Sequence, residues 1–144
     1  MFFSELSILL IKKTDKYKIS KADTDNGSPK FPLINIFFDN NKWYLNDITT
    51  LLIQIQGNYI KFYCHYSKNN YEEAKVYAKN IIEKIKKSLE FDHLNCKIFI
   101  NKKEKSFYLY KEKIIKDFKN IDIITLQNLE EIFYSFYRKI EAVI

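Results

Sequence analysis

The chain has 144 residues with 24 basic and 18 acidic side chains, which gives a formal net charge of +6, and 47% of its residues are hydrophobic. This length and apolar content predict one domain, residues 1–144, with a core of its own. The same content excludes a disordered tail, and two cysteines exclude a disulfide-rich scaffold. No apolar run approaches the roughly 20 residues of a membrane-spanning helix.

The N-terminal part predicts a buried strand followed by a surface loop. Residues 4–12 form a short apolar run that ends at Lys12-Lys13, with no basic region before it. Because this pattern differs from a signal peptide, we expect an intracellular, cytoplasmic protein. Residues 14–31 are polar and include Asn26-Gly27-Ser28-Pro29, which predicts a long loop.

The next segment has the composition of short strands separated by tight turns. Leu33–Phe38 is predicted as a strand, and Lys42–Leu45 is expected to fold back on it after Asp39-Asn40-Asn41. Ile48–Gln56 is ambiguous between helix and strand, but its Thr and Ile content favours a hairpin with Tyr59–Tyr66.

The strand Tyr59–Tyr66 divides into two faces, because successive side chains of a strand point in opposite directions. Cys64 shares an apolar face with Ile60, Phe62 and Tyr66, which is expected to belong to the core. The other face carries Tyr59, Lys61, Tyr63 and His65.

The C-terminal half predicts two amphipathic helices around a hairpin. Apolar residues recur every three or four positions in residues 70–89 and 126–143, with Asn69 or Asn70 as the expected cap of the first helix and Thr125 of the second. Between the helices, Asn95–Asn101 and Ser106–Tyr110 predict a hairpin, and Ile121–Ile124 a short strand. The predicted class is therefore α+β: a mainly antiparallel sheet of about seven or eight strands with two helices.

The net charge is concentrated in one quarter of the chain. Residues 84–119 hold eleven lysines and five acidic residues, an excess equal to the whole net charge of +6. Such an excess can steer an acidic protein or a nucleic acid, although solubilising lysines on a helix end and a hairpin explain it as well. AT-rich codons also favour lysine, and the lone Arg138 disfavours sequence-specific nucleic-acid recognition.

Patterns for catalysis and metal binding are weak. Cys64-His65 and His93-x-x-Cys96 suggest a zinc site, yet Cys64 and His65 should point to opposite strand faces, and both cysteines are expected in the core. The chain lacks a phosphate-binding loop, a dinucleotide fingerprint and a glycine-flanked serine. We therefore expect no metal, no cofactor and no catalytic residue, with a small nuclease or toxin enzyme as one alternative.

A lysine-flanked aromatic surface is the predicted binding site. Surfaces of this kind anchor protein partners and also stack unpaired bases. Alternatively, a helix covers this face and the aromatic residues belong to the core. The predicted partner-binding residues are Lys97, Phe99, Lys102, Lys103, Lys105, Tyr108 and Tyr110, with Tyr59, Lys61 and Tyr63 as secondary candidates.

These features together predict a small non-catalytic binding protein that occupies a macromolecular partner. Toxin-immunity proteins and phage anti-defence inhibitors act in this way, and AT-biased composition is common in mobile genetic elements. An acidic protein is the favoured partner. A non-specific nucleic-acid-binding protein that uses the same face is the alternative, and the oligomeric state is left open.

Overall fold

The computed structural model describes residues 2–25, 33–45, 49–57, 59–67, 69–92, 96–103, 105–114 and 126–144. These residues form an α+β domain with an antiparallel sheet, as predicted. The helices are α1 (Phe2–Lys12), α2 (Thr14–Tyr17), α3 (Tyr71–Lys87) and α4 (Leu126–Val143). The strands are β1 (Ile19–Asp25), β2 (Leu33–Phe38), β3 (Tyr44–Leu45), β4 (Thr49–Gln56), β5 (Tyr59–Tyr66), β6 (Cys96–Asn101) and β7 (Ser106–Lys113).

The strands form one sheet in the order β1-β2-β4-β5-β7-β6, and the two-residue β3 pairs beside β2 with the start of β4. The continuous path in the described part of the chain has six strands, slightly below the predicted number. The predicted strand Ile121–Ile124 and the predicted cap Thr125 lie outside the described residues.

The β4–β5 hairpin forms as predicted and lies at the centre of the sheet. The two strands pair along their whole length, from Thr49 opposite Tyr66 to Gln56 opposite Tyr59. Gly57 begins the turn with a φ of 58°, a left-handed conformation that glycine adopts without a Cβ clash. This tight connection fixes which side chains of β4 and β5 lie next to one another.

Residues 4–12 are helical, so the predicted buried strand is wrong. Leu6 and Leu10, four positions apart, are fully buried, whereas Ile8 is 57% exposed. A strand would place these three side chains on one face, but a helix separates Ile8 from the other two. The helical period was hidden because residues on the outer side of α1 are also apolar.

The predicted loop over residues 14–31 is also wrong for its first half, where α2 and β1 lie. Tyr17 and Ile19 are buried, while Ser20 and Lys21 of the edge strand are exposed. Polar side chains on an edge strand discourage pairing with other molecules, which explains the loop-like composition. The turn Asn26-Gly27-Ser28-Pro29 lies outside the described residues.

The short strand β3 pairs with β4, whereas we expected it to fold back on β2. A turn in which Trp43 N donates to Asn40 O at 2.9 Å turns the chain after β2. Trp43 is fully buried, and its carbonyl accepts from Leu51 N at 2.7 Å. Burial of this large ring therefore draws the segment towards β4. The predicted turn at Asn46-Asp47 lies outside the described residues.

Both predicted amphipathic helices are present. In α3 the buried stripe includes Ala74, Ala78 and Ile85, as predicted, but Leu89 lies beyond the C-cap Ser88 and is fully exposed. Asn70 occupies the N-cap position without a side-chain capping bond, and its Nδ2 donates to Ser67 Oγ at 2.7 Å. In α4 the buried residues are Leu129, Phe133, Phe136 and Ile140.

Helices α1, α3 and α4 pack against the same face of the sheet. Their buried side chains share one hydrophobic core with the inward side chains of the strands, such as Ile36, Ile53 and Phe62. We call this the helix-covered face and the opposite one the helix-free face, since no helix of the described residues lies on it. None of the helices in the described part of the chain is long and apolar enough to cross a membrane.

Candidate functional site

The helix-free face consists of parallel rows of side chains that cross the strands. Residues directly opposite one another in neighbouring strands have Cβ atoms about 5 Å apart, so each row is a set of neighbours. The register defines the aromatic row (Phe37, Leu52, Tyr63, Tyr108), the amide row (Asn35, Gln54, Lys61, Lys111) and the outer row (Leu33, Gln56, Tyr59, Lys113).

The aromatic row contains a close pair of tyrosines. The ring centroids of Tyr63 and Tyr108 lie 4.2 Å apart, and His65 stacks on Tyr63 at 6.1 Å with an interplanar angle of 18°. Tyr63 is only 4% exposed, whereas Tyr108 and His65 are half-buried. Tyr63 therefore supports its neighbours, while Tyr108 and His65 offer ring surface to a ligand.

The amide row is held by side-chain hydrogen bonds. Gln54 Nε2 donates to Asn35 Oδ1 at 2.8 Å, and Lys61 Nζ donates to Gln56 Oε1 at 2.8 Å. Lys61 Nζ also lies 5.0 Å from the centre of the Tyr108 ring, which links this row to the aromatic row. Gln54 Oε1 is buried and has no hydrogen-bond partner among the described residues. An acceptor in this state costs roughly 1–3 kcal/mol.

A groove of about 460 Å³ runs across these rows. Its wall combines carboxamide groups with aromatic rings and is mostly polar. Such a wall suits a ligand that both stacks and forms hydrogen bonds. The lining residues are Leu33, Asn35, Gln54, Gln56, Tyr63, His65, Asn101 and Tyr108.

Positive charge collects at the β7 end of the rows. Lys111 Nζ and Lys113 Nζ lie 5.0 and 6.0 Å from the centre of the Tyr59 ring. Glu112 between them points to the helix-covered face, where its carboxylate accepts from Tyr110 at 3.0 Å and from Lys139 at 3.2 Å. The pleat of β7 thus sorts opposite charges to opposite faces. No salt bridge among the described residues joins Lys111 or Lys113 to a carboxylate.

Tyr110 was predicted to share the exposed face with Tyr108, and this prediction is wrong. Phe62 pairs with Tyr110, but the next residue of β5, Tyr63, pairs with Tyr108, so Leu109 is an extra residue at a β-bulge. The bulge turns Tyr110 into the core, where it is 2% exposed and contacts Phe91 at 4.9 Å between ring centroids. Regular alternation, the only available guide in the sequence, does not reveal a bulge.

Three of the hairpin residues predicted to bind a partner, Lys102, Lys103 and Lys105, lie in the β6–β7 turn. Lys102 and Lys103 are exposed in the β6–β7 turn, and Lys102 Nζ lies 5.2 Å from the ring of Tyr71 at the start of α3. Lys105, in the same turn, has a φ of 53°. Lys97 and Phe99 belong to β6, with Phe99 opposite Tyr108, but their side chains lie outside the described residues.

The secondary candidates lie on the helix-free face, where Lys61 and Tyr63 are buried and Tyr59 is half-buried. Tyr59, Lys61 and Tyr63 all lie in the rows of the helix-free face, next to Tyr108 or to the lysines of β7. The described lysines of the basic segment 84–119 are split among the end of α3, the hairpin turn and this face.

Asn35, Gln54, Gln56, Lys111 and Lys113 were missed as site residues. The two glutamines alternate with Ile53 and Ile55 in the sequence, a pattern that places polar side chains on one strand face. Their convergence with Asn35 depends on β2 pairing with β4, which the sequence does not specify.

The cysteines lie where the alternation predicted. Cys64 and Cys96 are buried, and burial raises the pKa of the Cys64 thiol to about 12, so it is protonated near neutral pH. His65 is on the opposite face from Cys64, and His93 lies outside the described residues. Within the described ranges, no three His, Cys, Asp or Glu side chains are grouped to hold a metal ion.

The chain matches no protein-family model, no curated protein and no solved structure. What the molecule binds must therefore be inferred from its own side chains.

Proposed function

We propose that this is a small non-catalytic binding protein that holds an acidic protein partner on its helix-free face. The carrying observation is the charge of this face. Its exposed side chains among the described residues include Lys21, Lys111 and Lys113, against Asp23, which pairs with Lys21 at 2.7 Å. Exposed lysines speed the encounter with an acidic partner and favour the correct orientation.

The aromatic residues of the same face supply contact area. Tyr59 and Tyr108 are half-buried, so part of each ring is accessible while neighbours restrict its movement. Tyrosine is enriched at interface hot spots because it adds a large apolar surface and a hydroxyl with little loss of side-chain entropy. Lysines around such rings add charge complementarity to an acidic partner.

The mode of action we propose is occupation of the partner's surface. In this mode the protein blocks its partner as toxin-immunity proteins and phage anti-defence inhibitors do. Support comes from the burial of both cysteines, Cys64 and Cys96, which removes their thiols from contact with a substrate. A rigid sheet is also a suitable scaffold, because binding to it costs little conformational entropy.

The test compares charge reversals on two sides of the molecule. Lys111→Glu with Lys113→Glu changes the helix-free face, and Lys84→Glu with Lys87→Glu makes the same charge change at the end of α3. Each form captures proteins from a lysate of the source cells, and the captured partner is then purified for calorimetry. We expect the first double variant to weaken affinity at least tenfold and the second to change it less than threefold. Equal affinities, or the opposite order, would refute the proposal.

A second candidate function is non-specific binding of single-stranded nucleic acid. Tyr59 between Lys111 and Lys113 favours it, because aromatic rings flanked by cations stack bases and contact phosphates. A gel shift with single-stranded RNA and DNA over a range of salt concentrations tests it. Binding that falls linearly with log salt supports this candidate, and no shift at low salt removes it.

A further inference from the structure

We propose that the groove on the helix-free face binds a nucleobase carried on a phosphorylated sugar. This site goes beyond the partner-binding function, because it requires no second protein. The volume of about 460 Å³ falls within the range of small-ligand pockets, roughly 300–1,000 Å³. A groove of this size suits one small molecule better than a whole protein surface.

The carboxamides of the groove match the edge of a base. Asn35 and Gln54 are cross-strand partners, and their mutual hydrogen bond leaves Asn35 Nδ2 as a donor and Gln54 Oε1 as an acceptor. Nucleobases present adjacent donors and acceptors on their edges, and Asn and Gln side chains recognise them through paired hydrogen bonds. An N–H group of a base would satisfy Gln54 Oε1, which is buried without a partner among the described residues.

The rings of the groove provide a stacking surface beside these amides. Tyr108 is half-buried, and its ring packs on Tyr63 at 4.2 Å between centroids, so its position is fixed before a ligand arrives. His65, also half-buried, lines the same groove. Stacking of a base on an aromatic side chain contributes roughly 1–3 kcal/mol. A sugar alone would use the hydrogen bonds but gain less from the rings.

The lysines of β7 lie where a phosphate would follow the base. Gln56 of the groove is opposite Tyr59, and Tyr59 is opposite Lys113, so Lys113 is two strand spacings from the groove, about 10 Å. Lys111, two residues before Lys113, is also exposed, and its Nζ lies 5.0 Å from the centre of the same Tyr59 ring. Two lysines at this distance bind the anionic end of a ligand whose base occupies the groove.

The test uses the full chain and defined probes. The four ribonucleoside 5′-monophosphates are titrated by calorimetry, together with ribose 5-phosphate, which lacks the base, and a five-residue oligonucleotide. We expect one or more of the nucleotides to bind with a Kd below 1 mM and at least tenfold more tightly than ribose 5-phosphate. Equal binding of ribose 5-phosphate, or no binding by any nucleotide or by the oligonucleotide, would overturn the proposal. Binding of the oligonucleotide alone would show that the groove takes a base from a nucleic-acid chain, and binding of a mononucleotide would show that it takes a free nucleotide.

Variants separate the groove from the rest of the surface. Gln54→Met keeps the size of the side chain but removes the acceptor, and Lys111→Ala with Lys113→Ala removes the cations. Each is expected to weaken nucleotide binding about tenfold, whereas Lys84→Ala with Lys87→Ala should leave it unchanged. A reduction only in the α3 variant would contradict the site. Circular dichroism confirms folding, and Asn35→Ala replaces Gln54→Met if that variant does not fold.

Failure of this site and failure of the partner-binding function give different results. Nucleotide binding is measured without any partner, and Gln54→Met removes no charge that would attract an acidic protein. If the protein binds nucleotides but no acidic protein, the partner-binding proposal is refuted and the nucleotide site stands. If it binds an acidic protein but no nucleotide, the nucleotide site is refuted and the partner-binding proposal stands.

Discussion

The two faces of the sheet use charged and aromatic residues in opposite ways. On the helix-covered side, Tyr17 and Lys13 donate hydrogen bonds to Glu130 at 3.0 and 2.6 Å, so these aromatic and charged groups form contacts within the protein. On the helix-free side, Lys111 and Lys113 remain exposed around Tyr59. One face of the sheet thus supports the fold, while the other carries accessible cations and half-buried aromatic rings.

The largest expected effect on stability comes from comparing one phenylalanine on each face of the sheet. Phe133 of α4 is fully buried and packs against Tyr17 and Phe38, whereas Phe37 on the helix-free face is half-buried. Phe133→Ala is expected to lower the free energy of unfolding by about 3–5 kcal/mol because it leaves a cavity. Phe37→Ala, the matched control, should cost about 1 kcal/mol. Urea unfolding followed by circular dichroism measures both, and a larger loss for Phe37→Ala would contradict the assignment of the core.

The next effect concerns the paired carboxylate of α4. Glu130→Gln removes the negative charge of a carboxylate that accepts hydrogen bonds from Lys13 and Tyr17. It should lower the free energy of unfolding by about 1–2 kcal/mol. Asp23→Asn breaks the exposed Lys21–Asp23 pair on the other face and should cost less than about 0.5 kcal/mol. Urea unfolding at neutral pH compares the two, and equal losses would show that the Glu130 pair adds nothing beyond a surface ion pair.

The same carboxylate predicts a dependence of stability on pH. The hydrogen bond from Lys13 lowers the pKa of Glu130 below its ordinary value of 4.5, burial opposes this, and the bond from Tyr17 reinforces it. Since the folded pKa is the lower one, the contribution of Glu130 is complete above pH 4.5 and is lost as the pH falls through the folded value. Unfolding curves from pH 7 to pH 3 should show the wild type losing this advantage over Glu130→Gln. A constant difference would contradict it.

The smallest expected effect on stability comes from the lysines of the helix-free face. Lys111→Ala with Lys113→Ala removes exposed cation–π contacts with Tyr59, so the free energy of unfolding should change by at most about 1 kcal/mol. Thermal unfolding checks this. A loss above about 2 kcal/mol would mean that these lysines serve the fold, and the helix-free face would lose its distinction from the other.

Much of this division between faces was predictable from local pattern. The alternation of Tyr59–Tyr66 predicted its core side correctly, and the spacing of Phe133, Phe136 and Ile140 predicted α4. These predictions succeeded because one apolar stripe must face a core. The strand prediction for residues 4–12 failed because the unbroken apolar run Ile8-Leu9-Leu10-Ile11 has no readable period, and length alone was a poor guide.

The candidate site was less predictable because it depends on contacts between distant parts of the chain. Gln54 and Asn35 meet only when β2 pairs with β4, and Tyr110 leaves the site only because of the bulge at Leu109. Neither the strand order nor a bulge is encoded in a local motif here. The basic segment 84–119 was a better guide to part of the site, since it contains Lys111 and Lys113.

The two tyrosines of β7 test the division between the faces most directly. Tyr108 and Tyr110 are close in the strand, but one lies half-buried on the helix-free face and the other is 2% exposed in the core. The measurement is the free energy of unfolding of Tyr108→Ala and Tyr110→Ala in urea. We predict losses of about 1 kcal/mol for Tyr108→Ala and about 3–5 kcal/mol for Tyr110→Ala. Equal losses, or a greater loss for Tyr108→Ala, would contradict the bulge and with it the separation of the core from the helix-free face.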